Sequence, residues 1–214
     1  MVELLTANIL IVDDHAVVRQ GIRQILIKEF PEASFGEAGN AAEALAVGLQ
    51  GQWDLAIIDI SLPGKNGILL LKELREAQPG MATLIFSMHS EEEYAVRALK
   101  AGASGYLAKG CSPDELIGAV RKVLSGGKFI TPGLAERLAG EIGRNTDRSP
   151  HEYLSDREFQ IFCMFAKGKS VREIAWELPL SENTVRTYRA RILHKMKMKS
   201  TVEMIRYALE RNLV

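Results

Sequence analysis

Three aspartates stand directly after two apolar runs of the sequence. Asp13 and Asp14 follow the run at residues 9–12, and Asp59 follows the run at residues 55–58. If both runs are neighbouring parallel strands, the three carboxylates meet at one edge of the sheet, where open α/β sheets bind their ligands. Clustered carboxylates repel one another and are stable as anions mainly beside a hard divalent cation. The spacing therefore predicts a Mg2+ site beside a nucleophilic aspartate.

Two further polar residues follow the remaining apolar runs. Ser87 ends the run at residues 84–86, and Lys109 comes after the run at residues 106–108. Alone, Ser87 would be a capping residue and Lys109 a solvated surface charge. With the acids they supply what phosphoryl transfer to a carboxylate needs: a nucleophile, a metal, a hydroxyl donor and a cation for the phosphoryl oxygens.

Alternating strands and helices must position these residues. Strands are predicted at residues 8–12, 34–37, 55–59, 83–88 and 105–107, and helices at 16–29, 41–50, 67–77, 91–101 and 113–125. This alternation predicts an α/β fold with a doubly wound, five-stranded parallel sheet covered on both faces. In the strand order 2-1-3-4-5, the first and third strands are neighbours at the switch point, so the acids converge there.

The rest of the chain has a different pattern. Glycine, proline and polar residues interrupt positions 127–152, which we interpret as a linker with one short helix at 134–142 and a flexible part at 143–151. Four helices are predicted after it, at 155–166, 170–178, 181–197 and 200–211, and they indicate a small all-α domain. The predicted domains are thus 1–126, a linker at 127–152, and 153–214.

Charge divides along the same line. The 214 residues carry no formal net charge, but residues 1–149 hold 15 basic and 19 acidic side chains (15 − 19 = −4), and residues 150–214 hold 12 and 8 (12 − 8 = +4). This asymmetry indicates a second domain whose partner could be nucleic acid. No apolar run is long enough to span a bilayer, no signal peptide is evident, and Cys111 and Cys163 fit no metal-ligand spacing, so a reducing cytoplasm is expected.

The helix at 181–197 is strongly basic. Alone, this could be a solvated face, but the helix at 170–178 and the short break before it give the spacing of a helix-turn-helix, whose second helix enters the major groove. Apolar side chains recur on one side of the basic helix, at Val185, Ile192 and Met196. The side chains left facing outward are Arg186, Thr187, Ala190 and Arg191.

Residues 8 to about 125 resemble the receiver domain of two-component response regulators. The matching positions are Asp13, Asp14, Asp59, Ser61, Leu62, Pro63, Gly64, Gly67, Ser87, Tyr106 and Lys109. The resemblance implies that Asp59 accepts a phosphoryl group from a sensor histidine kinase. It implies that Mg2+ is held by Asp14, Asp59 and the backbone carbonyl of Ser61, with Asp13 acting indirectly. Lys109 would then bind the phosphoryl oxygens, while Ser87 swings toward them and Tyr106 moves inward.

The segment from 154 to 214 resembles the LuxR-type helix-turn-helix domain, and the two resemblances together define the NarL/FixJ class of response regulators. In that class the positions of Arg186, Thr187 and Ala190 reach base edges. We assign the phosphate contacts to Lys169, Arg189, Lys195 and Lys199, and the resemblance assigns a dimer contact to the last helix, at Val202, Ile205 and Leu209.

The sequence thus predicts a cytoplasmic transcriptional regulator that is not an enzyme. Phosphorylation of Asp59 would control homodimerisation and binding to promoter DNA at inverted-repeat sites, with RNA polymerase as a further partner. Two alternatives stay open: a phosphorylation-dependent adaptor that binds protein, and a Mg2+-dependent phosphatase of the haloacid type. The second is disfavoured because Ser61 stands where such an enzyme has its second aspartate.

Overall fold

The computed structural model describes residues 6–88, 91–143, 149–211 and 213–214. These residues form two compact units, one up to Glu136 and the other from Arg137 onward. The change of unit falls ten residues beyond the end predicted for the first domain.

A five-stranded parallel sheet forms the centre of the first unit. Its strands are β1 (Asn8–Val12), β2 (Ser34–Ala38), β3 (Leu55–Ile58), β4 (Ala82–Ser87) and β5 (Gly105–Ala108). They lie in the order β2-β1-β3-β4-β5, which confirms the predicted topology. The central strands read as continuous apolar runs because a parallel sheet is buried on both faces.

Five helices follow the strands in turn. They are α1 (Ala16–Glu29), α2 (Ala41–Gln50), α3 (Gly67–Ala77), α4 (Glu91–Lys100) and α5 (Pro113–Leu124). Asn40, Asn66 and Ser112 begin α2, α3 and α5, and each accepts a hydrogen bond from a backbone amide of the first turn. These local signals explain why the predicted helices lie within one residue of the observed ones.

The segment predicted as a linker contains three ordered elements. Phe129 forms an isolated parallel bridge with Gly105, and its amide donates a hydrogen bond of 2.9 Å to the carbonyl of Ser104. The predicted short helix is present as α6 (Pro132–Gly143). A 3-10 helix follows at Pro150–Tyr153, so the prediction of a flexible segment is wrong at residue 143, which ends α6, and at residues 150 and 151. Residues 144–148 of that segment lie outside the described residues.

The second unit continues with four α-helices: α7 (Asp156–Ala166), α8 (Val171–Glu177), α9 (Glu182–Lys195) and α10 (Thr201–Glu210). Capping boxes at Ser155 and Ser170 begin α7 and α8. Apolar side chains of α7, α8, α9 and α10 share one core, which includes Phe159, Phe162, Ile174, Val185, Ile192 and Met204. Helices α8 and α9 form the predicted helix-turn-helix. Among the described helices, none is long and apolar enough to cross a membrane.

Candidate functional site

The sheet brings two of the predicted acids to the same edge. Strands β1 and β3 are hydrogen-bonded neighbours with Val12 opposite Ile58, and Asp13 and Asp59 are the next residues of each. The amide of Asp59 donates a hydrogen bond of 2.8 Å to the carbonyl of Val12, which continues this pairing. Both aspartates are buried, with exposed fractions of 1% and 3%. The convergence predicted from the topology is therefore observed.

Lys109 joins these two carboxylates. Its backbone amide donates a hydrogen bond of 2.9 Å to the carbonyl of Ser87, which fixes it beside the end of β4. Its Nζ lies 2.6 Å from Oδ2 of Asp13 and 2.8 Å from Oδ2 of Asp59. The lysine side chain is only 8% exposed. One buried ammonium is thus shared by two buried carboxylates.

Burial and pairing act in opposite directions on the pKa values of this pair. Burial raises the pKa of Asp59 above its ordinary value, although the hydrogen bond and charge of Lys109 oppose the rise. Burial lowers the pKa of Lys109, but its hydrogen bonds to Asp13 and Asp59 and their charges outweigh that effect and leave this pKa raised. At neutral pH the lysine therefore remains a cation.

Asp14 lies apart from this contact, beside His15. The Nδ1 atom of His15 is 2.8 Å from Oδ1 of Asp14 and 3.3 Å from Oδ1 of Asp13. Ligand atoms from these three residues all lie within 4.8 Å of one another, whereas Asp59 is outside that group. The structure thus assembles the predicted acids only in part. The sequence predictions include no role for His15, although its position directly after the acid pair was a signal for one.

The donor atoms fit a hard divalent cation such as Mg2+. Oδ1 of Asp59 is buried and has no hydrogen-bond partner among the described residues. The backbone of Ser61, whose carbonyl was predicted as a ligand, hydrogen-bonds to the Asp59 carboxylate. The three carboxylates of Asp13, Asp14 and Asp59 outnumber the single ammonium of Lys109, so a local charge of about −2 remains for a cation to neutralise.

The loop after β3 passes close to the phosphoacceptor candidate. The amide of Gly67 donates a hydrogen bond of 2.9 Å to the carbonyl of Ile60. A Cβ atom at Gly67 would lie 2.1 Å from the backbone oxygen of Asp59. Gly64, in the same loop, has a φ of 75°, a conformation that favours glycine. The backbone conformation at Gly64 and the close contact at Gly67 thus explain why both positions are glycine.

The two predicted switch residues lie inside the first unit. Ser87 ends β4 opposite Ala108, and both Ser87 and Tyr106 are fully buried. Tyr106 is already buried in this conformation. An inward movement on phosphorylation would therefore have to start from another conformation of this side chain.

In the second unit, α9 has the predicted faces. Val185, Ile192 and Met196 are buried, and Arg186, Thr187, Ala190 and Arg191 are exposed. Arg186 pairs with Glu182 at 2.7 Å, and the Thr187 hydroxyl donates to the carbonyl of Asn183. Both side chains stay at the surface, where contacts with a ligand can replace these contacts with Glu182 and Asn183.

Two of the lysines assigned to phosphate contacts already have carboxylate partners. Lys195 lies 2.6 Å from the buried carboxylate of Glu158, and Lys169 is paired with Glu177. Lys199 is exposed, and Arg189 is half-buried. The assignment of Lys195 as a surface phosphate ligand overlooked its role as the counterion of Glu158, which is 37 residues away in sequence.

The three side chains predicted to form a dimer contact lie on α10. Val202 and Leu209 are 73% and 60% exposed, and Ile205 is half-buried. Met204 and Ala208 face the core instead. An exposed apolar stripe on the last helix is thus present as predicted.

Fold and pocket together define a receiver domain, and comparison with known proteins places the whole chain. The response regulator receiver domain family matches residues 9–121, and the family of bacterial regulatory proteins called the luxR family matches residues 152–208. The chain belongs to the response regulator family. It is a phosphorylation-dependent transcriptional regulator with a LuxR-type DNA-binding domain, and not an enzyme.

Several relatives match over nearly their whole length. The response regulator UvrY of Escherichia coli O6:H1 is 37% identical over 96% of this chain and 95% of its own. The transcriptional regulatory protein UhpA of Escherichia coli K12 is 41% identical over 93% of this chain and 96% of its own. The crystal structure of the response regulator ChrA, from a heme-sensing two-component system, is 30% identical, with a TM-score of 0.51 over 98% of this chain and 99% of that one.

Proposed function

We propose that Asp59 is the phosphoacceptor and that a sensor histidine kinase is the donor. The observation that carries this proposal is the buried Asp59 carboxylate held at the sheet edge by Lys109, 2.8 Å away. Oδ2 is engaged by the lysine, while Oδ1 has no partner among the described residues. One oxygen of this carboxylate attacks the phosphorus of the phosphohistidine, and the phosphorus–nitrogen bond breaks as the new phosphorus–oxygen bond forms.

The remaining pocket residues have supporting roles in this proposal. Lys109 neutralises the phosphoryl oxygens, and Ser87 donates its hydroxyl to one of them. Asp14, Asp59 and the carbonyl of Ser61, with Asp13 acting indirectly, would hold Mg2+, which would supply further positive charge to the transferred group. Tyr106 follows Ser87 and couples the pocket to the surface of the domain.

The output is sequence-specific binding of promoter DNA by α9. Arg186 is the strongest candidate for reading a base, since a bidentate arginine–guanine contact discriminates by about 1–3 kcal/mol. Ala190 can offer only an apolar contact, for example to a thymine methyl group. Lys199 and Arg189 contact phosphates, and Lys169 and Lys195 do so only by exchanging or sharing their carboxylate partners.

Phosphorylation controls a homodimer in this scheme. The exposed stripe Val202–Ile205–Leu209 on α10 pairs with its copy, and a two-fold dimer matches an inverted-repeat site. RNA polymerase is the further partner expected at a promoter, and the cytoplasm is the compartment in which these partners meet.

Phosphotransfer and DNA binding can be tested on the full chain. Wild type, Asp59→Asn and the exposed control Asp114→Asn are incubated with acetyl phosphate and Mg2+. Phosphate-affinity gels and salt-dependent DNA gel shifts are then run. We expect wild type and the control to gain one phosphoryl group and tighter promoter binding, and Asp59→Asn to gain neither. Phosphorylation of Asp59→Asn would overturn the acceptor assignment, and phosphorylation without any effect on DNA binding would favour the protein-binding adaptor.

A further inference from the structure

The cluster of Asp13, Asp14 and His15, hereafter the His15 cluster, contains a nitrogen ligand that the proposed Mg2+ site does not use. His15 precedes α1, and its carbonyl accepts hydrogen bonds from the amides of Val18 and Arg19. Its side chain makes no capping hydrogen bond. The imidazole is therefore free to turn toward the two carboxylates, which it does through Nδ1.

Two of the three distances between the ligand atoms are those of neighbouring ligands around one ion. Nδ1 of His15 lies 2.8 Å from Oδ1 of Asp14 and 3.3 Å from Oδ1 of Asp13. Ligands at right angles on bonds of about 2.1 Å are separated by about 3.0 Å. All three atoms lie within 4.8 Å of one another, so one ion could bind to all three after small side-chain movements.

The backbone that carries the cluster is held in place from outside. Nη1 of Arg19 donates a hydrogen bond of 2.6 Å to the carbonyl of Asp13, and its Nε donates one of 3.2 Å to Glu37. The amide of His15 donates to Oδ1 of Asp13 at 2.9 Å. Two elements, α1 and β2, therefore fix the segment, so little ordering is left for a bound ion to impose.

Two buried carboxylates, those of Asp13 and Asp59, share the single ammonium of Lys109 beside the cluster. Oδ1 of Asp59 has no hydrogen-bond partner among the described residues, and Oδ2 of Asp13 has the Lys109 ammonium 2.6 Å away. The side chains of Asp13 and Asp59 are only 2% and 4% exposed. Such carboxylates favour a cation at this edge of the sheet.

Ligand chemistry decides which cation gains most from the histidine. Carboxylates suit Mg2+ and Mn2+, whereas imidazole binds Mg2+ poorly and adds affinity for later first-row ions in the order Mn2+, Co2+, Ni2+. We propose that His15 is a direct metal ligand, and that the His15 cluster makes this pocket bind first-row transition ions in preference to Mg2+. The inference concerns the proposed metal site but not the phosphorylation of Asp59.

Direct ligation can be read from the unphosphorylated full chain loaded with Mn2+. Pulsed electron paramagnetic resonance detects the nuclear modulation of a nitrogen bound to Mn2+. We expect this modulation in wild type and in the control His194→Asn, whose histidine is exposed on α9, and its loss in His15→Asn. The proposal would be overturned if wild type binds Mn2+ at a site from which excess Mg2+ displaces it, and this bound Mn2+ gives no nitrogen modulation.

The selectivity is measured separately by calorimetric titration with Ni2+ and Mg2+. Loss of one ligand should weaken Ni2+ binding by tenfold or more in His15→Asn and Mg2+ binding by less than threefold. Metal binding that remains in Asp14→Asn is assigned to sites outside the His15 cluster and is subtracted from the binding of the other proteins. Equal losses for both ions would mean that the imidazole acts only as an ion-pair partner of the aspartates, and the proposal would fail. Phosphorylation by acetyl phosphate with Mg2+ in the same variants tests the proposed function independently.

Discussion

The shared lysine predicts a pH-dependent loss of stability when it is removed. In Lys109→Met, the carboxylates of Asp13 and Asp59 stay buried without their cation. Each contact, at 2.6 and 2.8 Å, is worth about 6 kcal/mol of Coulomb energy at an effective dielectric constant of about 20. The gain from no longer burying an ammonium offsets much of this, so we expect a net cost of about 3 kcal/mol near pH 8.

The sign of the pH dependence follows from the pKa of Asp59. This pKa is already raised by burial, and without Lys109 it rises further. In the unfolded chain Asp59 releases its proton near the ordinary aspartate pKa of about 3.9, whereas the folded variant keeps this proton to a higher pH. The stability of the variant therefore falls as pH rises from the unfolded pKa of Asp59 through its folded pKa. The cost of Lys109→Met should therefore be smaller by about 1 kcal/mol or more near pH 5 than near pH 8.

Urea unfolding followed by tryptophan fluorescence provides the measurement. The chain has two tryptophans, Trp53 in the first unit and the exposed Trp176 in the second, so a Trp176→Phe background leaves Trp53 to report on the receiver alone. Adding Asp59→Asn to Lys109→Met should restore part of the lost stability, because one buried charge disappears. A cost that is equal at both pH values and unaffected by Asp59→Asn would refute the electrostatic reasoning.

Three further predictions concern packing and the second unit. Gly67→Ala forces a Cβ to 2.1 Å from a backbone oxygen and should destabilise the receiver by about 2 kcal/mol in urea, while Gly118→Ala, with open space around it, should be neutral or slightly stabilising. Burial alone would raise the pKa of Glu158, but its bonds to Lys195 and to the Ser155 cap outweigh burial and lower this pKa overall. Acid unfolding of the second unit should therefore occur at a lower pH in wild type than in Glu158→Gln. Lys195→Met should reduce both stability and DNA affinity, and adding Glu158→Gln should recover the stability but not the affinity, as measured by unfolding and gel shifts.

Local signals explain most of what the sequence could predict. The bounds of α1, α2 and α3 were predicted without error, because apolar periodicity, and in α2 and α3 also a capping asparagine, acts within a few positions. The meeting of Asp13 and Asp59 followed from strand order, since parallel strands that are neighbours end at the same edge.

Contacts between distant residues were beyond that reasoning. The pair of Lys195 and Glu158 depends on how α9 packs against α7, and no local pattern distinguishes a lysine that faces a carboxylate from one that faces solvent. The 3-10 helix at Pro150–Tyr153 was missed for a similar reason. His151 is buried and its Nδ1 lies 2.7 Å from the hydroxyl of Tyr207 on α10, so that segment is ordered by a residue 56 positions away.

The segment at Phe129 covers part of an edge strand, and this matters for the solubility of a shortened chain. Strand β5 lies at one side of the sheet, and an uncovered edge strand offers unpaired amides and carbonyls to other molecules. Phe129 bridges to Gly105, and Lys128 donates to the carbonyl of Ala103, so this return of the chain protects the beginning of β5. A receiver fragment ending at residue 126 would lose this cover and aggregate more readily than one ending at residue 136.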